Sequence, residues 1–478
     1  MSSISQRILK SISIFGGVQV VSVLCSLVRT KLVALLVGPI GVGLLGIFNQ
    51  AVELIFSVSS LGIRNSSVRD LASEKNELRR QQLVFVIRRW SWVVGLAGAL
   101  ATLFCSPLLS RLTFDDDTHT WCYAALSLVL LFNAIAKGEE AVLQGSSKLK
   151  SLAKALITGA VASVVAVAPL YYFMGVNGIV PAIVSVSGIV ALCMFAFNRK
   201  ENRIESKKVG WNQTLSMGKG FIKLGIFITL SNAVTLLASN AFIIFLNHYA
   251  GTVEVGFYQA GYTTVNKYAD LIFAAMAMEY YPRLAQVGHS NKRMQMYVTT
   301  QINITLAILI PVITAFLICR ELIVQILYTR EFFVILPYIS FAVIGTVFRA
   351  ISWCMAFVIL VKGRGIIYLF TETVSAVSGL ALNLIFYKLY GLAGIGIAYI
   401  IWYMVYTAVV YFCFRKIYKL KLHPSIILNS FIALAICSGT MFSVMHSSTV
   451  FTVIFAVAAV AAGILIMKKT TLRKRRRA

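Results

Sequence analysis

The residues with most chemistry to offer are charged side chains that interrupt long apolar stretches. Arg29, Lys31, Lys267 and Arg349 are basic, and Glu53, Asp270, Glu279 and Glu372 are acidic. A charge at the centre of a bilayer costs about 2.5 to 3.5 kcal/mol on insertion scales, so such residues face a polar interior, pair with each other or mark a pathway. Equal numbers of each sign allow plain pairing, and Lys267 with Asp270, three apart on one helix face, has the spacing for it. The alternative gives the cations an anionic cargo. Arginine offers a phosphate two parallel N–H donors and lysine a point charge, so Arg29, Lys267 and Arg349 are candidates to meet a diphosphate. Lys267 and Arg349 fall near the middle of the eighth and tenth apolar segments, whereas Lys31 and Glu279 are near enough to segment ends to snorkel. Arg64, at the end of the second segment, either receives the anion first or is an ordinary flanking cation. Glu53, Asp270 and Glu372 are candidates for coupling to a cation gradient or a membrane potential, on their intramembrane position.

Other chemistries find little support. The five histidines, His119, His248, His289, His423 and His446, are scattered without metal-ligand spacing, and no metal or cofactor site is expected. Asp115-Asp116-Asp117 sits in a connection too short to build a catalytic domain, so solvated carboxylates are expected there, with a divalent cation as the alternative. Gly41-Val-Gly-Leu-Leu-Gly46 satisfies GxGxxG, but that pattern signals a dinucleotide only after a strand in a βαβ unit. Here it follows an apolar helix, and a tight turn between helices is expected. Asn49, Gln50, Asn133, Gln259, Asn266, Asn303 and Asn383 have the chemistry to bind sugar hydroxyls or to join helices.

The elements that must position these residues follow from composition. The 478 residues are 59% apolar and 13% charged, with mean hydropathy +0.83, and that much hydrocarbon requires lipid as its solvent. Runs of about 20 apolar residues, enough to cross a bilayer, begin near Ile12, Leu44, Leu83, Trp121, Leu152, Val176, Phe221, Val255, Thr299, Ile335, Ile366, Leu392, Ile426 and Thr449. The expectation is an all-α polytopic membrane protein of about fourteen transmembrane helices. The runs are too long for the strands of a barrel. The first lacks a small-residue cleavage site and is expected to stay as a helix. The eight cysteines show no CxxC spacing and read as small apolar residues; Cys105 and Cys122, flanking one connection, are the pair with an opportunity to bridge.

The net charge of +27 is distributed by side, not clustered on one surface, which argues against nucleic acid. Of 44 Lys and Arg, 36 fall in connections on one side of the predicted bundle. The opposite side holds Arg111, Arg320, Arg330 and Lys388. By the positive-inside rule both termini are cytoplasmic, and the terminal Arg473-Lys474-Arg475-Arg476-Arg477 run reads as an anchor on anionic headgroups.

The chain also repeats itself. Gly38-Pro-Ile-Gly-Val-Gly43 recurs as Gly251-Thr-Val-Glu-Val-Gly256, Arg69-Asp-Leu-Ala72 as Arg283-Leu-Ala285, and Gly175-Val-Asn-Gly-Ile179 as Gly391-Leu-Ala-Gly-Ile395. Two parallel six-helix lobes are expected, residues 1–205 and 206–420, with a binding cavity between them. Residues 421–478 add two helices and a basic tail.

The stretch from Lys31 to Gln50, with Ser60-Leu-Gly-Ile63, Arg69-Asp-Leu-Ala72 and Leu143-Gln-Gly145 ahead of Lys148-Leu-Lys150, resembles the Wzx-type flippases of O-antigen and enterobacterial common antigen precursors. These belong to the multidrug/oligosaccharidyl-lipid/polysaccharide (MOP) exporter superfamily. The resemblance implies an undecaprenyl-diphosphate-linked oligosaccharide as substrate, alternating access of two lobes in the inner membrane, no catalytic residues, and a polysaccharide polymerase and chain-length regulator as partners beside membrane lipids. It also implies cationic cavity residues from the first, second and eighth helices, which by position are Arg29, Arg64 and Lys267. A multidrug or cation antiporter on the same scaffold and a membrane polymerase or ligase are the competing readings. The two helices beyond Lys421 depart from the twelve common among such flippases.

Overall fold

The protein is described here by a computed structural model covering residues 3–60, 67–68, 71, 74, 76–146, 148–201 and 210–475. Among the described residues the chain is helical, without strands. The helices are α1 Ser3–Leu36, α2 Gly38–Ser60, α3 Glu77–Phe114, α4 Thr120–Gly145, α5 Leu149–Met174, α6 Ile179–Glu201, α7 Trp211–Ala250, α8 Thr252–Gln286, α9 Asn291–Ile318, α10 Arg320–Leu327, α11 Leu336–Val361, α12 Gly365–Lys416, α13 Pro424–Met445 and α14 Thr449–Arg475. Each of the fourteen apolar runs lies in one of them, α12 holding two, and only the short α10 is unanticipated. Ten stretches among the described residues are long and apolar enough to cross a membrane; two of these, of 51 and 52 residues, are each a pair of crossings broken by a glycine. The chain is thus a multi-pass membrane protein.

Local sequence explains the helix ends. Asn76 opens α3 by accepting at Oδ1 from the Leu78 and Arg79 amides, 3.0 and 3.4 Å away, and Glu77 places a negative charge in the first turn. Asp115 closes it in a left-handed conformation (φ 61°) with its N–H on the Arg111 carbonyl. Ser290 caps α9, and His423 Nδ1 accepts from the Ser425 amide ahead of Pro424 at the start of α13.

The repeated motifs take repeated shapes. Gly38 and Gly251 both have positive φ, 77° and 86°, and make the turns into α2 and α8. Gly175 and Gly391 also match, at φ 53° and ψ −125° against φ 60° and ψ −144°. A Cβ on Gly178 would lie 2.3 Å from the Leu170 carbonyl oxygen, and one on the equivalent Gly394 2.0 Å from that of Phe386. The long α12 is therefore the same broken helix pair as α5 and α6. Gly43 and Gly256 are reciprocal: a Cβ on Gly43 would lie 2.1 Å from the Thr252 oxygen, and one on Gly256 2.1 Å from the Pro39 oxygen. The GxGxxG segment thus lies in the first turns of α2, with its turn at Gly38 and its third residue set aside for backbone contact with the start of α8.

The chain divides into two compact units, Met1–Gly256 and Phe257–Ala478. In the first, α3 packs on α4, α4 on α6, α5 on α6 and α1, and α7 on α2 and α3. In the second, α11 packs along α12, and α9 carries both α13 and α14. The appended pair is joined to α9 by Asn429 Nδ2 on Asn303 Oδ1 at 2.9 Å and by Gly463, where a Cβ would lie 2.7 Å from the Ala307 carbonyl oxygen. All eight cysteines are free, Cys105 and Cys122 included.

Candidate functional site

The most developed polar constellation inside the apolar spans belongs to the second unit. Arg349, midway along α11, donates from Nη2 to Asp270 Oδ1 at 2.6 Å and from Nη1 to Asn266 Oδ1 at 2.6 Å, with the Tyr399 hydroxyl at 3.5 Å. Asp270 and Asn266 are four apart on α8, so one helix face presents both acceptors. The Tyr399 hydroxyl donates to the same Asn266 oxygen at 3.2 Å. Aromatic faces complete the surround: the guanidinium carbon lies 5.3 Å from the centre of Phe273 and 5.8 Å from that of Tyr403. Trp353 stacks on Phe273, and Tyr403 lies against Tyr399, Trp402 and Tyr406.

The pair is asymmetric. The Arg349 side chain is 18% exposed and that of Asp270 60%. The cation is fixed and enclosed, whereas its counter-ion is open. On the same unit the Tyr406 hydroxyl donates to Glu372 Oε1, and Trp402 Nε1 donates to Ser375 Oγ at 3.0 Å, both joining the two arms of α12. Tyr268 shares a hydrogen bond with Thr346 at 3.0 Å. Lys267 is half-buried on α8 and engaged with its own surroundings.

The predicted residues therefore separate. Arg349 and Asp270 are brought together from α8 and α11, and Glu372 is held by a tyrosine. In the first unit, Arg29 is half-buried on α1 with Cys25 and Tyr171 as electrostatic neighbours, and it forms no ion pair among the described residues. Lys31 is half-buried and engaged. Glu53 is exposed on α2 and likewise without an ion pair among the described residues. Arg64 and the side chain of Glu279 lie outside the described residues.

Two features were not anticipated. One is the aromatic lining, although its signal was present: Tyr399, Trp402, Tyr403 and Tyr406 recur at three- and four-residue intervals on one helix face. The other is a buried lock at the basic end of the first unit. Arg88 on α3 reaches Glu139 on α4 through two bonds of 2.7 and 2.9 Å, and Asn198 on α6 donates to the same carboxylate. Glu139 is 3% exposed. Arg89 beside it lies 4.2 Å over Trp211 and 4.9 Å over Phe85, and Trp90 Nε1 donates to the Thr214 carbonyl, fixing the start of α7. Arg88 and Arg89 read in the sequence as flanking cations.

At the opposite end of α3 the acidic triplet is paired locally. Asp117 takes both arms of the Arg111 guanidinium at 2.7 and 2.8 Å, Asp116 accepts from the Thr118 hydroxyl at 2.7 Å, and Asp115 faces His248 at the end of α7. The hydrogen bond from Arg111 holds the Asp117 carboxyl below its ordinary range, and that from Thr118 does the same for Asp116.

Residues 32–337 match the family described as "Polysaccharide biosynthesis protein". No curated protein matches the chain by sequence. Among solved structures, the chain is similar to a lipid II flippase, MurJ, in an inward closed conformation: TM-score 0.68, 14% identity, 98% of this chain and 99% of that one covered. It is similar to an inward-facing multidrug resistance MATE family transporter of the MOP superfamily, with TM-score 0.67, 14% identity and coverage of 82% and 94%. A MOP superfamily transporter from Pyrococcus furiosus Vc1 aligns with TM-score 0.57, 15% identity and coverage of 85% and 93%. These likenesses establish the fold. With the match spanning well over half its length, the chain belongs to the polysaccharide biosynthesis protein family and has the fold of the MOP transporter superfamily.

Proposed function

We propose that the protein is a flippase carrying an undecaprenyl-diphosphate-linked oligosaccharide, an O-antigen or related repeat unit, across the bacterial inner membrane by alternating access, with both termini cytoplasmic. The observation that carries this reading is Arg349, a permanently charged group enclosed by aromatic rings at mid-helix and balanced by an open carboxylate. An anion that brings more than one negative charge competes with Asp270 for the guanidinium, since Asp270 holds it through Nη2 alone and a phosphate accepts from two N–H groups at once. Neutralising Asp270 with a proton or a cation weakens its hold, so a cation gradient has a lever on substrate binding at this point. Arg29, Lys267, Lys31 and Arg64 remain proposed further contacts for the diphosphate, and Glu53 and Glu372 further coupling groups. A polysaccharide polymerase and a chain-length regulator are the proposed partners downstream.

Deletion of the gene tests the reading. The expected result is loss of surface glycan and accumulation of its lipid-linked precursor, restored by the wild-type chain and not by a stably inserted Arg349→Met variant. Loss of drug resistance with intact surface glycan would replace it with a multidrug antiporter, and altered glycan chain length alone would point to a polymerase.

A further inference from the structure

A second feature of the second unit lies apart from the Arg349 cluster and rests on none of the transport reading. At the end of α12 a groove of about 610 Å³ is lined by Ala408, Tyr411, Phe412, Arg415, Lys416, Lys419 and Lys421. The lining is graded along the helix. Ala408 and Phe412 are exposed on the apolar side, and Arg415, Lys416, Lys419 and Lys421 are exposed one to two turns further on. Apolar surface followed by concentrated positive charge at a helix end is the profile of the bilayer interface itself.

The basic rim is built, not frayed. Lys419 has a left-handed φ of 54°, which turns Tyr418 and Leu420 inward, where both are buried, and leaves Lys419 and Lys421 facing out. The loop is pinned by Asn291 Nδ2 on the Tyr418 carbonyl (3.3 Å), the Leu420 amide on the Phe414 carbonyl (3.1 Å) and the Lys421 amide on Gln295 Oε1 (3.4 Å). No acidic residue follows Glu372 in the sequence, so the segment supplies no internal counter-ion for these cations.

We propose that this groove binds the phosphate headgroup of an anionic glycerophospholipid of the surrounding bilayer, with Arg415, Lys416, Lys419 and Lys421 on the phosphate and Ala408 and Phe412 along the first methylenes of an acyl chain. Charge complementarity selects the headgroup, and the adjoining apolar wall selects a lipid over a free anion. Each cation near an anionic lipid surface is worth about a fivefold change in association.

The test reconstitutes the full chain in phosphatidylcholine vesicles containing a phosphatidylglycerol with a photoactivatable acyl chain and maps the adducts. The expected adduct lies on the segment 404–421 and is competed by unlabelled phosphatidylglycerol but not by phosphatidylcholine. A Lys416→Gln/Lys419→Gln variant should lower its yield at least fivefold, while Lys468→Gln/Lys469→Gln, which removes equal charge from α14, should change it less than twofold. Matching thermal melts of both variants exclude misfolding as the cause. Equal losses in the two variants would reduce the site to general surface charge and overturn the proposal. Displacement by inorganic pyrophosphate without displacement by phosphatidylglycerol would overturn it in favour of a soluble anion.

Discussion

Replacing Asp270 by Asn separates the stabilising role of the Arg349 pair from its transport role. A hydrogen bond to a charged group contributes about 1.5 to 3 kcal/mol, and solvent screening at the 60% exposed Asp270 side chain brings its loss to or just below the lower limit, about 1 to 1.5 kcal/mol. Arg349→Met is more damaging, because it leaves the Asp270 carboxylate without its cation, leaves the Asn266 oxygen with the Tyr399 hydroxyl alone, and removes the cation from Phe273 and Tyr403. Deleting one partner of a buried pair costs about 3 to 5 kcal/mol, and the openness of Asp270 again favours the lower limit. The melting order should be wild type, Asp270→Asn, then Arg349→Met, with the double variant regaining about 1 kcal/mol over Arg349→Met. Transport should divide differently. Asp270→Asn leaves the guanidinium without its resident anion, so under the proposed function affinity for undecaprenyl diphosphate should rise about tenfold, equivalent to 1.4 kcal/mol. Turnover should fall at least tenfold, because no carboxylate remains to reclaim Arg349 and release the cargo. Binding is read by native mass spectrometry and turnover by flipping in reconstituted vesicles. If Asp270→Asn changes neither quantity, or Arg349→Met transports at the wild-type rate, exchange of anions on Arg349 is the wrong mechanism.

Three further outcomes follow from the packing. Gly43→Ala should cost about 1 to 3 kcal/mol, since the new methyl meets the Thr252 carbonyl oxygen and backbone yields less than a side chain; Gly17→Ala, where a Cβ meets nothing within 4 Å among the described residues, should be neutral to slightly stabilising in the same detergent melts. Arg88→Met should cost about 3 to 5 kcal/mol by leaving Glu139 buried and charged, and Arg88→Met/Glu139→Leu should recover most of that loss; a double variant no better than the single one would deny that the pair acts as a unit. The loop 115–119 should respond to acid. Asp116 and Asp117 are held below the ordinary aspartate range, so their contribution is fully present above about pH 4 and is lost as pH falls through their depressed folded values. Hydrogen exchange of this loop, after correction for intrinsic rates, should rise as pH falls below about 4, and Arg111→Gln should move the onset upward.

What the sequence determined by itself is what depends on local composition and periodicity. The long runs of hydrocarbon demanded fourteen helices, and each run lies in a helix, because in hydrocarbon a lone segment satisfies its backbone hydrogen bonds only within its own helix. The paired glycine motifs were legible as repeats, and Gly38, Gly251, Gly175 and Gly391 take matched conformations because a positive φ is a local requirement that few residues other than glycine meet. Tertiary structure decided which charges meet. Asp270 lay three residues from Lys267 and 79 from Arg349, and it is Arg349 that its carboxylate accepts from at 2.6 Å. Spacing along one helix gives the faces but not which neighbouring helix fills them. For the same reason Arg88 looked like a flanking cation until α4 and α6 brought Glu139 and Asn198 against it, and Gly43 looked like part of a turn until the start of α8 lay on its backbone.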